Sequence, residues 1–167
     1  SKVLQRGMDW AIGPEILKFE KSLAEYVGSK YCLSFNSGTS ALHASLLSLG
    51  ISYNDEVLVP SFTFISTVNA PLMTNAIPKF VDIEDSSFGL NPKMIKSSIS
   101  KNSKAIMPIH YAGLPCKILE LKELSKYYNL FLIEDAAESI GASVNGKKVG
   151  SFGDIGVFSF AGNKVLT

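Results

Sequence analysis

Four apolar residues in a row, Leu130-Phe131-Leu132-Ile133, with no polar residue alternating among them, restrict the possible folds of this chain more than any other stretch. A strand of that kind is buried on both faces, which calls for a mostly parallel sheet covered by helices above and below. Similar short runs recur at Tyr31 to Phe35, Glu56 to Val59, Ile77 to Val81, Ala105 to His110 and Val157 to Phe160. Between them lie stretches with helical spacing. Pro14 opens the first, Ile16, Phe19, Leu23, Tyr26 and Val27 form its stripe, and Gly28 stops it. Further helices are expected from Ala41 to Leu47, closed by Gly50, and over about 64–73, 94–99 and 118–128. The rhythm breaks at Ala142 to Val149, where Asn145-Gly146 predicts a tight hairpin. The expected fold is α/β, a three-layer sandwich with a mostly parallel central sheet.

With 167 residues, 46% of them hydrophobic, the chain suffices for one domain around a single large core, and no linker or repeat divides it. Sixteen basic against fifteen acidic residues leave a net charge of +1, so no global field favours nucleic acid or an anionic membrane. Cys32 and Cys116 are far apart, with no CxxC or zinc-ligand spacing. Reduced thiols packed in the core of a cytoplasmic protein are the expectation, with no metal site. No apolar stretch reaches membrane-spanning length, and the start from Ser1 to Arg6 lacks a signal-peptide apolar region.

In open parallel sheets ligands bind beyond the carboxyl ends of the strands. Four segments fall there. Ser37-Gly38-Thr39-Ser40 offers a close backbone approach and a helix start to a phosphate, or else simply an N-cap made by Thr39 or Ser40. Glu134-Asp135-Ala136-Ala137-Glu138 puts carboxylates at the tip of the most apolar strand, where they need hydrogen bonds or a cationic partner. Ser61-Phe62-Thr63-Phe64 brings aromatics to the same rim, with core packing the favoured role for Phe62. Ser159-Phe160-Ala161-Gly162-Asn163-Lys164 follows a strand with small residues and a lysine. Together they provide a phosphate cradle, a carboxylate, an aromatic wall and an amine, which is what a pyridoxal phosphate site requires.

In order and wording these segments resemble the DegT/DnrJ/EryC1/StrS sugar aminotransferases, perosamine-synthase-like members in particular. The resemblance runs from Gly13-Pro14-Glu15 to the last residue and includes Asp55-Glu56-Val57, Pro60-Ser61-Phe62-Thr63-Phe64 and Gly150-Ser151-Phe152-Gly153-Asp154-Ile155-Gly156. It implies the large, cofactor-binding domain of the fold type I pyridoxal-phosphate transferases over residues 1–167, without the C-terminal small domain of family members. It also implies that Lys164 holds the cofactor, Asp135 pairs with its ring nitrogen and Phe64 stacks on the ring. Gly38, Thr39 and Ser159 would bind the phosphate. Glu138 would lie near the cofactor hydroxyl or substrate, and His110 is as readily structural as catalytic.

The implied activity is transfer of an amino group, from an amino acid such as glutamate, to a nucleotide-linked keto sugar. Such sugars serve cell-surface polysaccharides, including lipopolysaccharide O-antigen. A homodimer with shared active sites is the implied assembly. Two other readings stay open at this point: a binding remnant without turnover, and a sugar dehydratase using the pyridoxamine form, against which Lys164 counts because such relatives carry histidine there. A Rossmann dinucleotide binder is disfavoured, since Phe35-Asn36-Ser37-Gly38-Thr39 lacks G-x-G-x-x-G.

Overall fold

A computed structural model describes Gln5 and residues 13–166. The expectations for Ser1 to Leu4, for Arg6 and for Thr167 lie outside the described residues. The chain divides into two compact units, residues 1–34 and 35–167. In the first, helix α1 (Pro14–Val27) starts at Pro14 and ends on Gly28, whose left-handed backbone (φ 81°) supplies the stop. Tyr31 to Phe35 then forms no strand. Tyr31 and Leu33 are 75% and 74% exposed, and no described strand pairs with this stretch, so its amides lack a ladder. The Ser34 amide instead donates to Glu20 Oε1 at 2.7 Å. Apolar content predicted a strand here, but a strand exists only with a neighbour.

The second unit begins with α2 (Gly38–Ser48) and continues through β1 (Glu56–Pro60), α3 (Ser66–Met73), β2 (Ile77–Val81), α4 (Pro92–Ser98), β3 (Ser103–Ile106), α5 (Ile118–Tyr127) and β4 (Phe131–Asp135). A small hairpin, β5 (Ser143–Val144) and β6 (Lys147–Lys148), precedes β7 (Ile155–Val157). Asn145 and Gly146 both have positive φ, as a tight hairpin turn demands. The main sheet has the order β2-β1-β3-β4-β7 and every adjacent pair in it is parallel.

Alternation along the strands builds the layers. Val57 and Val59 of β1, Ala105 and Met107 at β3, and Ile133 of β4 pack with Leu42, Leu46 and Ala70 of α2 and α3. Leu58, Ile106 and Leu132, one residue out of phase, pack with Ile95 of α4 and Ile118 and Leu121 of α5. The sheet is therefore buried on both faces, the three-layer arrangement that the uninterrupted apolar runs predicted. β3 stops four residues short of the expected His110: Pro108 has no amide, which interrupts the ladder, and pairing with β4 resumes only as a single parallel bridge between Ile109 and Asp135. β7 starts and ends earlier than expected, where Ile155 to Val157 pair with Ile133 to Asp135 of β4, and Gly156 within it lies against the Gly150 carbonyl, where any side chain would collide.

Candidate functional site

At the carboxyl ends of β1, β3, β4 and β7 the structure gathers the residues singled out above. Glu134 and Asp135, adjacent in β4, face opposite tasks. Glu134 is fully buried and accepts from the Gly150, Phe152 and Gly153 amides at 2.7, 2.6 and 2.7 Å. It is also 3.0 Å from His110 Nε2, while His110 Nδ1 accepts from the Cys116 amide at 3.2 Å. Because an amide can only donate, the imidazole proton belongs on Nε2, toward Glu134. Burial works to raise the Glu134 carboxyl, but the bonds from His110 and the two glycine amides outweigh it and hold it below the ordinary value. His110 is wholly buried, and its partner Glu134 pins the 150–153 turn that leads into β7.

Asp135 is 2% exposed and its Oδ2 accepts from the Thr67 hydroxyl at 2.7 Å, its Oδ1 from the Ala137 amide at 3.2 Å. Burial pushes this carboxyl up from its usual range, and the Thr67 and Ala137 bonds only partly offset that. An aspartate so placed gains most from a cation brought next to it.

Lys164 lies in the turn after β7, its amide bonded to the Ala161 carbonyl at 2.8 Å. Its Nζ stands 3.1 Å from Glu138 Oε1 and 5.6 Å above the centre of the Phe64 ring. The other Glu138 oxygen accepts from the Ala112 amide at 2.9 Å, so Glu138 joins the lysine to the 3-10 turn at Tyr111–Gly113. Phe64 precedes α3 rather than starting it and is 58% exposed, presenting its face at the rim. Phe62 is 45% exposed, which corrects the core role expected for it: it packs against Tyr111 and Phe88, with ring centres 4.7 and 6.2 Å away. Among the thiols, Cys116 is buried as expected, while Cys32 is only partly so; burial raises the pKa of both.

The cap of α2 is Ser37, which accepts from the Ser40 amide at 3.1 Å, and not Thr39 or Ser40. Thr39 is thereby free to bond Ser66 Oγ at 2.7 Å. The first-turn amides of Gly38 and Thr39 have no intrahelical partner. A Cβ added to Gly38 would come within 3.5 Å of Ser159 Cβ, so the glycine keeps an open notch between the α2 start and the turn that carries Lys164. Gly38 and Ser159 thus lie together, with Thr39 next along α2, and Lys164, Phe64 and Glu138 form a second group. No group of three or more His, Cys, Asp or Glu that could hold a metal ion occurs among the described residues.

Three residues to which the sequence assigned no role of their own do much of the positioning: Glu134, Ser66 and Thr67. The four-residue spacing of Thr63 and Thr67 at a helix start was the available signal. Hydroxyls at that spacing share a face.

Comparison with known proteins places the whole chain, residues 1–167, within the model of the DegT/DnrJ/EryC1/StrS aminotransferase family. GDP-perosamine synthase of Vibrio cholerae is 44% identical over 155 residues, which is 93% of this chain and 42% of that protein. Among solved structures, DesV of S. venezuelae superposes with a TM-score of 0.92 at 34% identity, covering 98% of this chain and 44% of that one. NtdA of Bacillus subtilis, solved with the bound cofactor PMP, gives 0.90 at 32% identity over 99% of this chain and 38% of that one. The chain therefore spans about two fifths of the length of these relatives.

Proposed function

Since the chain belongs to the DegT/DnrJ/EryC1/StrS aminotransferase family, we propose that it forms the cofactor-holding part of a pyridoxal-phosphate-dependent sugar aminotransferase. The acceptor is a nucleotide-linked keto sugar and the donor an amino acid, glutamate by family analogy. Relatives named GDP-perosamine synthase support this substrate class. The product suits cell-surface polysaccharide synthesis, O-antigen included. Further proposals are a cytoplasmic setting, in keeping with two free thiols, and a homodimer that completes the site. No described helix is long and apolar enough to cross a membrane.

The observation that carries the proposal is the placing of Lys164 Nζ over the Phe64 ring and beside Glu138, one turn from the Gly38–Ser159 notch. These residues fit pyridoxal phosphate: unpartnered first-turn amides and a hydroxyl for a dianion, an aromatic face for a ring, and a carboxylate raised by burial for a ring cation. When bound, the cofactor supplies an electron sink for charge developing at the amino-donor carbon. Lys164 Nζ anchors it and moves the proton to and from that carbon. Asp135 holds a proton on the ring nitrogen. Phe64 fixes the plane of the ring, and Glu138 keeps the lysine from swinging into solvent.

Incubation with pyridoxal phosphate, borohydride reduction and peptide mapping test the assignment. Modification should fall at Lys164. Trapping spread over other lysines would remove it from the anchoring role.

A further inference from the structure

Asp135 is aimed by a residue 68 positions away, in neither its strand nor its loop. Thr67, in the first turn of α3, is fully buried, and its hydroxyl proton goes to Asp135 Oδ2 at 2.7 Å. The Thr63 hydroxyl lies 2.6 Å from the same Thr67 oxygen. A threonine has one hydroxyl proton, and Thr67 has committed its own to the carboxylate. Thr63 must therefore donate to Thr67. The chain of bonds has one direction, from partly buried Thr63 through Thr67 to Asp135. Each bond polarises the next in a dry site, which strengthens the terminal one.

We infer that Thr67, backed by Thr63, is a positioning residue for Asp135, fixing its carboxylate in orientation and in its ionised form for a cationic ring nitrogen. The inference rests on the cofactor reading above. It also explains why α3 starts where it does. Ser66, the neighbour of Thr67, bonds Thr39 at the α2 start at 2.7 Å, so one helical turn registers both the phosphate notch and the aspartate. With two adjacent residues tied to separate parts of the site, that turn sets their spacing.

Purely packing roles for Thr67 would be met by valine, which has nearly the same shape. Geometry argues against them: a buried hydroxyl used only for packing carries a desolvation cost that valine avoids. Other groups acting on the Asp135 charge are His110, four residues past the end of β3, and Glu138, three residues after Asp135. His110 bonds Glu134 and Cys116, Glu138 bonds Lys164 and Ala112, and both remain unchanged in the variants Thr67→Val, Thr67→Ser, Thr63→Val and Asp135→Asn.

The test uses the chain with and without pyridoxal phosphate, comparing Thr67→Val, Thr67→Ser, Thr63→Val and Asp135→Asn with the parent. One readout is independent of cofactor: the Asp135 carboxyl carbon followed by NMR against pH. Thr67→Val should move its midpoint upward, Thr63→Val should do so by less, and Thr67→Ser should leave it in place. The second readout is affinity for pyridoxal phosphate. Thr67→Val should weaken it roughly tenfold, the scale of a lost bond to a charged group, and Thr67→Ser should restore it. The inference is overturned if Thr67→Val titrates and binds like the parent while Asp135→Asn loses affinity. Equal affinity of parent and Asp135→Asn would bring down the cofactor reading itself, and the inference with it. If Thr67→Val does not fold, Thr63→Val and Thr67→Ser carry the same contrast: unchanged behaviour in Thr63→Val, or loss in Thr67→Ser, contradicts the directed chain.

Discussion

Two carboxylates side by side in β4 show how much a residue's environment decides. Glu134 meets three backbone amides and a histidine and is held down in pKa, whereas Asp135 meets a hydroxyl and one amide and is pushed up by burial. Asp135→Asn should therefore leave the cofactor-free chain at least as stable near neutral pH, because a buried charge is removed from a site lacking a cation. Its affinity for pyridoxal phosphate should fall. Thermal melting and a cofactor titration on the same sample check both halves, and a large loss of stability would make Asp135 a structural residue. The tip of the apolar strand made this aspartate readable in the sequence. Its partner was not readable, because a hydrogen bond across 68 positions leaves no local pattern. The role of Glu134 was hidden for the same reason: its donors are amides 16 to 19 residues on.

At the scale of elements, helices and the paired strands followed from periodicity, and the failures came where pairing or a proline decided. Tyr31 to Phe35 has strand composition without a partner, and β3 is cut by Pro108. The α2 start separates capping from binding. Ser37→Ala removes the side chain that accepts from the Ser40 amide and should cost about 1 kcal/mol of stability. Thr39→Val keeps that cap and loses the bond to Ser66, so it should cost less stability and more affinity for pyridoxal phosphate. Denaturant melts and cofactor titrations of the pair should cross over in this way. Equal losses in both would mean that Thr39 only braces the helix.

Acid response is a property of the whole molecule, because the perturbed carboxylates are spread over it and do not all pull the same way. The Ser86 and Ser87 hydroxyls, with help from Lys117, hold the Glu84 carboxyl at about 2 against an ordinary 4.5. Glu56 is lowered too: burial works to raise it, and the bonds from Ser100, Lys79 and Ser103 overcome that. Glu134 is lowered at the other end of the strands. A carboxylate lowered in the folded state stabilises the fold fully above its unfolded value, and that stability is lost as pH falls through the folded one. Asp135 runs in the opposite sense. Its folded pKa is raised, so the native state takes up that proton first and gains relative stability on acidification. The parent chain should therefore lose stability as pH drops below about 4.5, with Asp135 blunting the loss. Glu84→Gln should make the loss shallower between 4.5 and about 2, since it deletes a group that the unfolded chain protonates first. Asp135→Asn should make it steeper, since it deletes the compensating group. Urea unfolding at a series of pH values gives the slopes, and a change of the same sign in both variants would contradict the opposed environments seen in the structure.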